Sequence, residues 1–217
     1  MPLMEAPTEL LSDPLPAEPL EVAAEWLARA WLERAQPNPN AMSLATSTRE
    51  GTPSARIVLC KDIVPWPGYV VFYTNYRSRK GHELEANPRA AAVLHFDSQH
   101  RQVRIEGTVE FAPGPDSDSY FASRALASRI GAWASEQSQP LRNRTELLAR
   151  VKTTAARFGE GVPRPPHWGG YRLWAQAVEL WVEGEARIHD RARWTRTLRT
   201  QDGHFEAGPW TATRLQP

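Results

Sequence analysis

Arg187, His189 and Arg191 fall within a stretch of five residues, just after an apolar run that ends at Trp181 and Val182. In an extended backbone side chains alternate between faces, so these three are expected on one face, with Ile188 and Asp190 on the other. A row of guanidinium, imidazole and guanidinium repels itself unless it is solvated or lies opposite an anionic or electron-rich partner. More basic residues recur upstream. Arg56 and Lys61 bracket Ile57, Val58, Leu59 and Cys60. Alternation puts the two cations on opposite faces, serving two anionic groups or leaving one of them solvated. Arg79 and Lys80 follow Ser78, a good N-cap, at the expected start of a short helix. A helix start carries free N–H groups and the positive end of the dipole, so two cations there imply a bound anion such as phosphate. Tyr120 and Arg124 are four apart and share a helix face, an arrangement suited to a phosphate or to plain surface packing.

These groups must be held by mixed elements. Leu20, Ala23, Ala24, Leu27, Ala30 and Trp31 follow helical spacing, with Pro19 in the first turn and Pro37 and Pro39 beyond the end. Strands are expected over 41–47 and 55–61 as a hairpin about 49–53, then over 69–74, 90–96 and 101–111, where Gln102 lies on the polar face. Helices are expected from Ser78 to Asn87, across 119–124, over 128–134 and over 145–158, the last stopped by Gly159 and Gly161. Gln137 and Ser138 fall in a loop. A stiff proline-rich connector spans 162–170. Strands return over 171–174, 177–182, 193–200 and 211–215, with a turn at Asp202-Gly203. Antiparallel strands with inserted helices point to an α+β, mainly β, barrel-like domain over 20–217. Residues 1–19 are proline-rich and read as a flexible lead-in.

Composition narrows the functional classes. The 217 residues are 41% hydrophobic and 24% charged, as in an ordinary globular protein. Lys+Arg 26 against Asp+Glu 25 leaves +1, which argues against a nucleic-acid binder. A single cysteine, Cys60, rules out an internal disulfide, and no zinc-type spacing of Cys and His occurs. Neither a secretory leader nor a long apolar run is present, so a cytoplasmic protein with no membrane partner is expected. The chain has no G-x-G-x-x-G after a strand, no P-loop and no G-x-S-x-G elbow. Cys60 sits in an apolar strand and reads as packing. Many anion-binding groups with few candidate acids or bases suit an enzyme that holds phosphorylated ligands while a cofactor carries the redox chemistry.

Eight segments together resemble the pyridoxamine/pyridoxine 5′-phosphate oxidase family. They are Ala41 to Thr46, Arg56 to Lys61, Phe72 to Tyr76, Ser78-Arg79-Lys80, Arg101 to Gly107, Ile130 to Trp133 with Gln137-Ser138, Trp168 to Tyr171, and Arg187 to Arg191. They occur in the family's order and cover nearly everything from Leu20 on. The resemblance implies an FMN-binding split β-barrel acting as a homodimer, with FMN at the subunit interface. It implies FMN contacts at Arg56, Ile57, Val58, Leu59, Cys60, Lys61, Tyr73, Thr74, Arg79, Lys80, Gln102, Gln137, Ser138, Trp181 and Arg191. It implies substrate-phosphate contacts at Lys61, Tyr120, Arg124 and Ser128, with Arg187, Ile188 and His189 beside the pyridine ring and Arg187 and His189 as the catalytic pair. The implied reaction is oxidation of the B6 phosphate by O2, with no metal.

The chain departs from the family in several places. No Arg-x-x-Tyr occurs in 1–19, where the family often carries a segment that helps cover the site. Phe96 and Gln99 stand where Trp and Leu are common, and Trp194 replaces a Tyr. Two other readings share the fold: a flavin oxidase of phenazine-type biosynthesis, and a non-catalytic protein that binds flavin or pyridoxal phosphate. Retention of Lys61, Arg79 and His189-Asp190-Arg191 favours the vitamin B6 enzyme.

Overall fold

The computed structural model describes residues 9–201 and 204–217. The expected turn at Asp202-Gly203 and residues 1–8 lie outside these. The main sheet is antiparallel and curled, built as a split barrel. In chain order the elements are α1 (Pro19–Glu33), β1 (Ala41–Ser47), β2 (Pro53–Leu59), β3 (Asp62–Val64), β4 (Tyr69–Asn75), α2 (Arg79–Ala86), β5 (Arg89–Phe96) and β6 (Arg101–Phe111). There follow α3 (Gly114–Ser123), α4 (Leu126–Ala134), α5 (Arg144–Phe158), β7 (Trp168–Val182), β8 (Asp190–Thr195), β9 (Leu198–Gln201), β10 (His204–Ala207) and β11 (Thr211–Leu215). The main path runs β11-β8-β7-β6-β5-β1-β2, with β4 on β7 and β3 on β4.

β7 is where the barrel splits. It lies along β6 from Tyr171 to Val182, but its first half pairs with β4 and its second half with β8. The two strands expected over 171–174 and 177–182 are one strand. Gln176 breaks the alternation because the register shifts at Glu106/Gly107. A Cβ on Gly107 would lie 1.8 Å from the Trp174 carbonyl oxygen, so only glycine fits at the bulge. α1 covers β3, β5 and β7 and buries Leu20, Ala23, Trp26 and Ala30 in the main core with Met42, Phe72, Leu94, Ile105, Leu180 and Trp194. Proline at its start fits the expectation; its end comes at Glu33, where Arg34 takes a left-handed conformation (φ 52°).

Residues 9–18, expected as part of a flexible lead-in, run against the sheet. The Leu11 N–H donates to Asp190 Oδ2 (2.8 Å) and Trp194 Nε1 donates to the Pro16 carbonyl (2.8 Å). A smaller core of Phe121, Ile130, Val162 and Trp168 ties α3, α4 and the connector before β7 to the face of β4 that carries Tyr73.

Candidate active site

β2 ends the main sheet path, and a cavity of about 840 Å³ opens along it. That volume is in the range of cofactor and substrate pockets. Its walls are β2, the β2–β3 link, the end of β4, the start of α2, and α3 and α4 with the loop after them. Of the residues predicted from sequence, Arg56, Ile57, Val58, Leu59, Lys61, Tyr73, Thr74, Arg79, Lys80, Tyr120, Arg124, Ser128, Gln137 and Ser138 all line it. Ser54, Asn75, Gly131, Ser135 and Trp168 line it too and were given no site role from sequence; Trp168 carried a signal, as a bulky aromatic beside two glycines.

The cationic end is built on α2. Ser78 caps the helix, its hydroxyl accepting the Gly81 N–H (3.3 Å). Lys80 is buried, and among the described residues its ammonium donates only to neutral oxygens: Thr74 Oγ1 (3.0 Å), Gln137 Oε1 (3.1 Å) and Ser78 Oγ (3.2 Å). Burial, aided by Arg56 and opposed by Glu83, lowers its pKa from 10.5 to about 8. Arg56 and Arg79 converge on Glu83, at 3.2 Å and 2.8 Å. Burial disfavours the Glu83 carboxylate, yet hydrogen bonds from Ser54, Thr46, Arg79 and Arg56 outweigh it and bring its pKa to about 2. Glu83 escaped the sequence reading, though its place four residues after Arg79 was the available signal.

The other end is aromatic and basic. Tyr73 stacks on Tyr120 (ring centroids 4.0 Å apart) and on Trp168 (5.6 Å). The Arg124 guanidinium sits 4.6 Å from the Trp168 ring, burial lowers its pKa, and its buried Nη1 has no hydrogen-bond partner among the described residues. Lys61 Nζ lies 5.4 Å from the Tyr120 ring. An unpartnered guanidinium nitrogen and a buried ammonium without a carboxylate mate fit anionic ligands at both ends, as FMN and a phosphorylated substrate would supply.

Cys60 does not line the cavity. β2 ends at Leu59, two residues short of the strand expected through Lys61. The Cys60 thiol lies in the core, donates to the Asp62 carbonyl (3.4 Å), and is raised by burial to about 12.

Gln102, Trp181, Arg187, Ile188, His189 and Arg191 do not line it either, and form a second group on β6, β7 and the β7–β8 hairpin. Gln102 and Arg191 both register against Trp181. The expectation that Arg187, His189 and Arg191 share a strand face fails. Glu185–Arg187 forms a 3₁₀ turn in which Ala186 (φ 52°) and Arg187 (φ 65°) are left-handed, and β8 begins only at Asp190. A Cβ on Gly184 would stand 1.8 Å from the Ile188 carbonyl oxygen, so the hairpin closes this tightly only with glycine there. The turn aims His189 back over Trp181 (4.6 Å), and its Nδ1 accepts the Gly184 N–H (3.2 Å). In the neutral ring Nε2 then carries the proton. Arg191 donates from Nε and Nη2 to Glu179 Oε1 (3.1 and 2.8 Å).

A split barrel with an aromatic, doubly cationic cleft along its β2–α2 side defines a flavoprotein-type oxidase of the split-barrel class. The chain belongs to the pyridoxamine 5′-phosphate oxidase family: residues 28–158 match the model described as pyridoxamine 5′-phosphate oxidase, and 168–217 match the pyridoxine 5′-phosphate oxidase C-terminal dimerisation region. It is 50% identical over 212 residues to the pyridoxine/pyridoxamine 5′-phosphate oxidase of Bordetella petrii, covering 96% of this chain and 93% of that one. It is 48% identical to the Cereibacter sphaeroides protein of the same name, covering 92% and 95%. Among solved structures it is similar to PhzG from Burkholderia lata 383 in complex with tetrahydrophenazine-1-carboxylic acid. The TM-score is 0.83 and the identity 32%, over 94% of this chain and 95% of that one. No helix among the described residues is long and apolar enough to cross a membrane.

Proposed function

We propose that this chain oxidises pyridoxamine 5′-phosphate and pyridoxine 5′-phosphate to pyridoxal 5′-phosphate, using FMN and O2. The observation that carries this reading is convergence: Lys61, Tyr120, Arg124 and Ser128 meet in the same cavity as Arg79 and Lys80. Such a cleft suits two phosphorylated molecules held side by side. FMN, when bound, supplies the two-electron acceptor that O2 reoxidises, with release of hydrogen peroxide.

The chain's own residues do the rest by binding and orientation. Arg79 and Lys80 take the cofactor phosphate, with Arg56 behind them. Lys61, Tyr120, Arg124 and Ser128 take the substrate phosphate. Arg187 and His189 hold the pyridine ring, so that the carbon bearing the amine or alcohol gives up a hydride. With the amine, water then hydrolyses the imine and ammonia leaves. Gln102, Trp181 and Arg191 reach the cofactor from outside the cavity walls. We further propose that they and the hairpin complete the cavity of a second copy. Matching of residues 168–217 to a dimerisation region supports that arrangement.

The test is the absorption spectrum of purified protein incubated with FMN, followed by turnover of both B6 phosphates with oxygen uptake. Retention of a yellow cofactor and formation of pyridoxal 5′-phosphate are expected; protein that takes up no FMN would overturn the reading. The likeness to PhzG favours one rival, an oxidase of a tricyclic acid. Failure to turn over either B6 phosphate, with turnover of a reduced phenazine carboxylic acid, would establish it. Ligand binding without peroxide would instead indicate a carrier.

A further inference from the structure

Among the described residues, Glu83 is the one carboxylate buried against the cationic end of the cleft, and it lies behind the wall rather than in it. Its Oε1 accepts Arg79 Nε (2.8 Å). Its Oε2 accepts Ser54 Oγ (2.6 Å), Arg56 Nη2 (3.2 Å) and the Thr46 hydroxyl. The two guanidinium groups are held differently. Arg56 is tied by Nη1 to the Leu44 carbonyl and the Thr46 hydroxyl, and by Nη2 to Ser54 and Glu83, which leaves only Nε uncommitted. Among the described residues Arg79 gives up only Nε, so its two Nη groups stay available at the helix start, beside Lys80.

Resting on the FMN reading above, we propose that Glu83 is a positioning residue for phosphate recognition. It fixes Arg79 so that its paired Nη groups face the cleft, and it anchors Arg56 as the fixed charge behind them. The alternative is a purely electrostatic role, and the two differ in sign. A buried carboxylate near a phosphate site repels the phosphate, so its removal should tighten binding if charge alone matters. If Glu83 acts by positioning, its removal frees Arg79 and Arg56 to repel and wander, and binding weakens.

The experiment compares FMN with riboflavin, which lacks the phosphate, by quenching of flavin fluorescence on titration with wild-type, Glu83→Ala and Glu83→Gln protein. Positioning predicts that Glu83→Ala weakens FMN about tenfold or more, the scale of one lost charge-assisted contact, while riboflavin binding stays within about twofold. Glu83→Gln, which keeps an acceptor oxygen, should recover part of the FMN loss. Unchanged or tighter FMN binding by Glu83→Ala would overturn the inference, as would equal loss of FMN and riboflavin, which marks a merely structural role. If Glu83→Ala does not fold, the Gln variant decides alone: selective weakening of FMN supports positioning, and tighter binding refutes it. Wild-type protein that binds neither flavin would refute the FMN reading itself, a result distinct from any of these.

Discussion

Lys80→Met should leave the ligand-free protein about as stable as wild type at neutral pH and make its FMN binding worse. Lys80 is buried against three neutral oxygens. The drop of its pKa from 10.5 to about 8 corresponds to about 3 kcal/mol against the charged form in the folded state. The cavity opens to solvent, and screening there cuts this to roughly half. Loss of its three hydrogen bonds, at about 0.5 kcal/mol each, takes back about 1.5 kcal/mol. The two effects nearly cancel, so the Tm should stay within about 4 °C of wild type for a chain this size. The balance depends on pH. Between about pH 8 and 10.5 the unfolded chain keeps a proton that folded Lys80 has released, so wild-type stability rises with pH across that window. The penalty is complete below pH 8, so the variant should compare best with wild type near neutrality and lose ground toward pH 10.5. Thermal melts of ligand-free protein at several pH values measure this, and flavin titration gives the other half: FMN weakened about tenfold or more. A variant that melts far below wild type at neutral pH, or a difference that does not move against the variant as pH rises, would refute the account of Lys80 as a cation held ready for an anion.

Arg187→Ala and His189→Ala should each lower kcat/KM for pyridoxamine 5′-phosphate by about a hundredfold while leaving FMN retention intact; flavin loss from both would contradict the substrate-side assignment. Gly184→Ala places a Cβ 1.8 Å from the Ile188 carbonyl oxygen, so it should open the hairpin and cut turnover with little change in FMN affinity. Steady-state kinetics beside flavin titration would show it, and wild-type kinetics would mean that the hairpin does not set the geometry of His189. Cys60 is 1% exposed with its thiol pushed up to about 12, so a thiol reagent should label it only on unfolding; rapid labelling of native protein would place it at the surface.

Much of the cleft was legible in the sequence because its determinants are local. Ser78 before Arg79 and Lys80 announced a capped helix start with cations, and the cap and the cavity wall are both there. Tyr120 and Arg124 also reach one wall, although α3 ends at Ser123 and Arg124 follows it in extended backbone rather than on its face. What failed was long-range or conformational. Alternation put Arg187 and His189 on a strand, but two non-glycine residues turn left-handed there, and Ala186 and Arg187 carry no residue-type signal for that. The break at Gln176 looked like the end of a strand, whereas pairing with β6 absorbs it as a bulge. Residues 9–18 looked unstructured by composition, yet the Leu11 amide and the Pro16 carbonyl meet partners on β8, more than 170 residues away. Glu83 was passed over because its four hydrogen-bond donors come from β1, β2 and α2, which only the fold brings together.

The shared site is open to direct test by mixing two inactive variants, Lys61→Ala in the cavity and His189→Ala on the hairpin, then letting subunits exchange. If each site draws its cavity from one chain and its hairpin from the other, half of the dimers are mixed and each mixed dimer keeps one intact site. Oxidation of pyridoxamine 5′-phosphate should then return to about a quarter of the wild-type rate. A mixture that exchanges subunits yet stays as inactive as its parents would contradict the account.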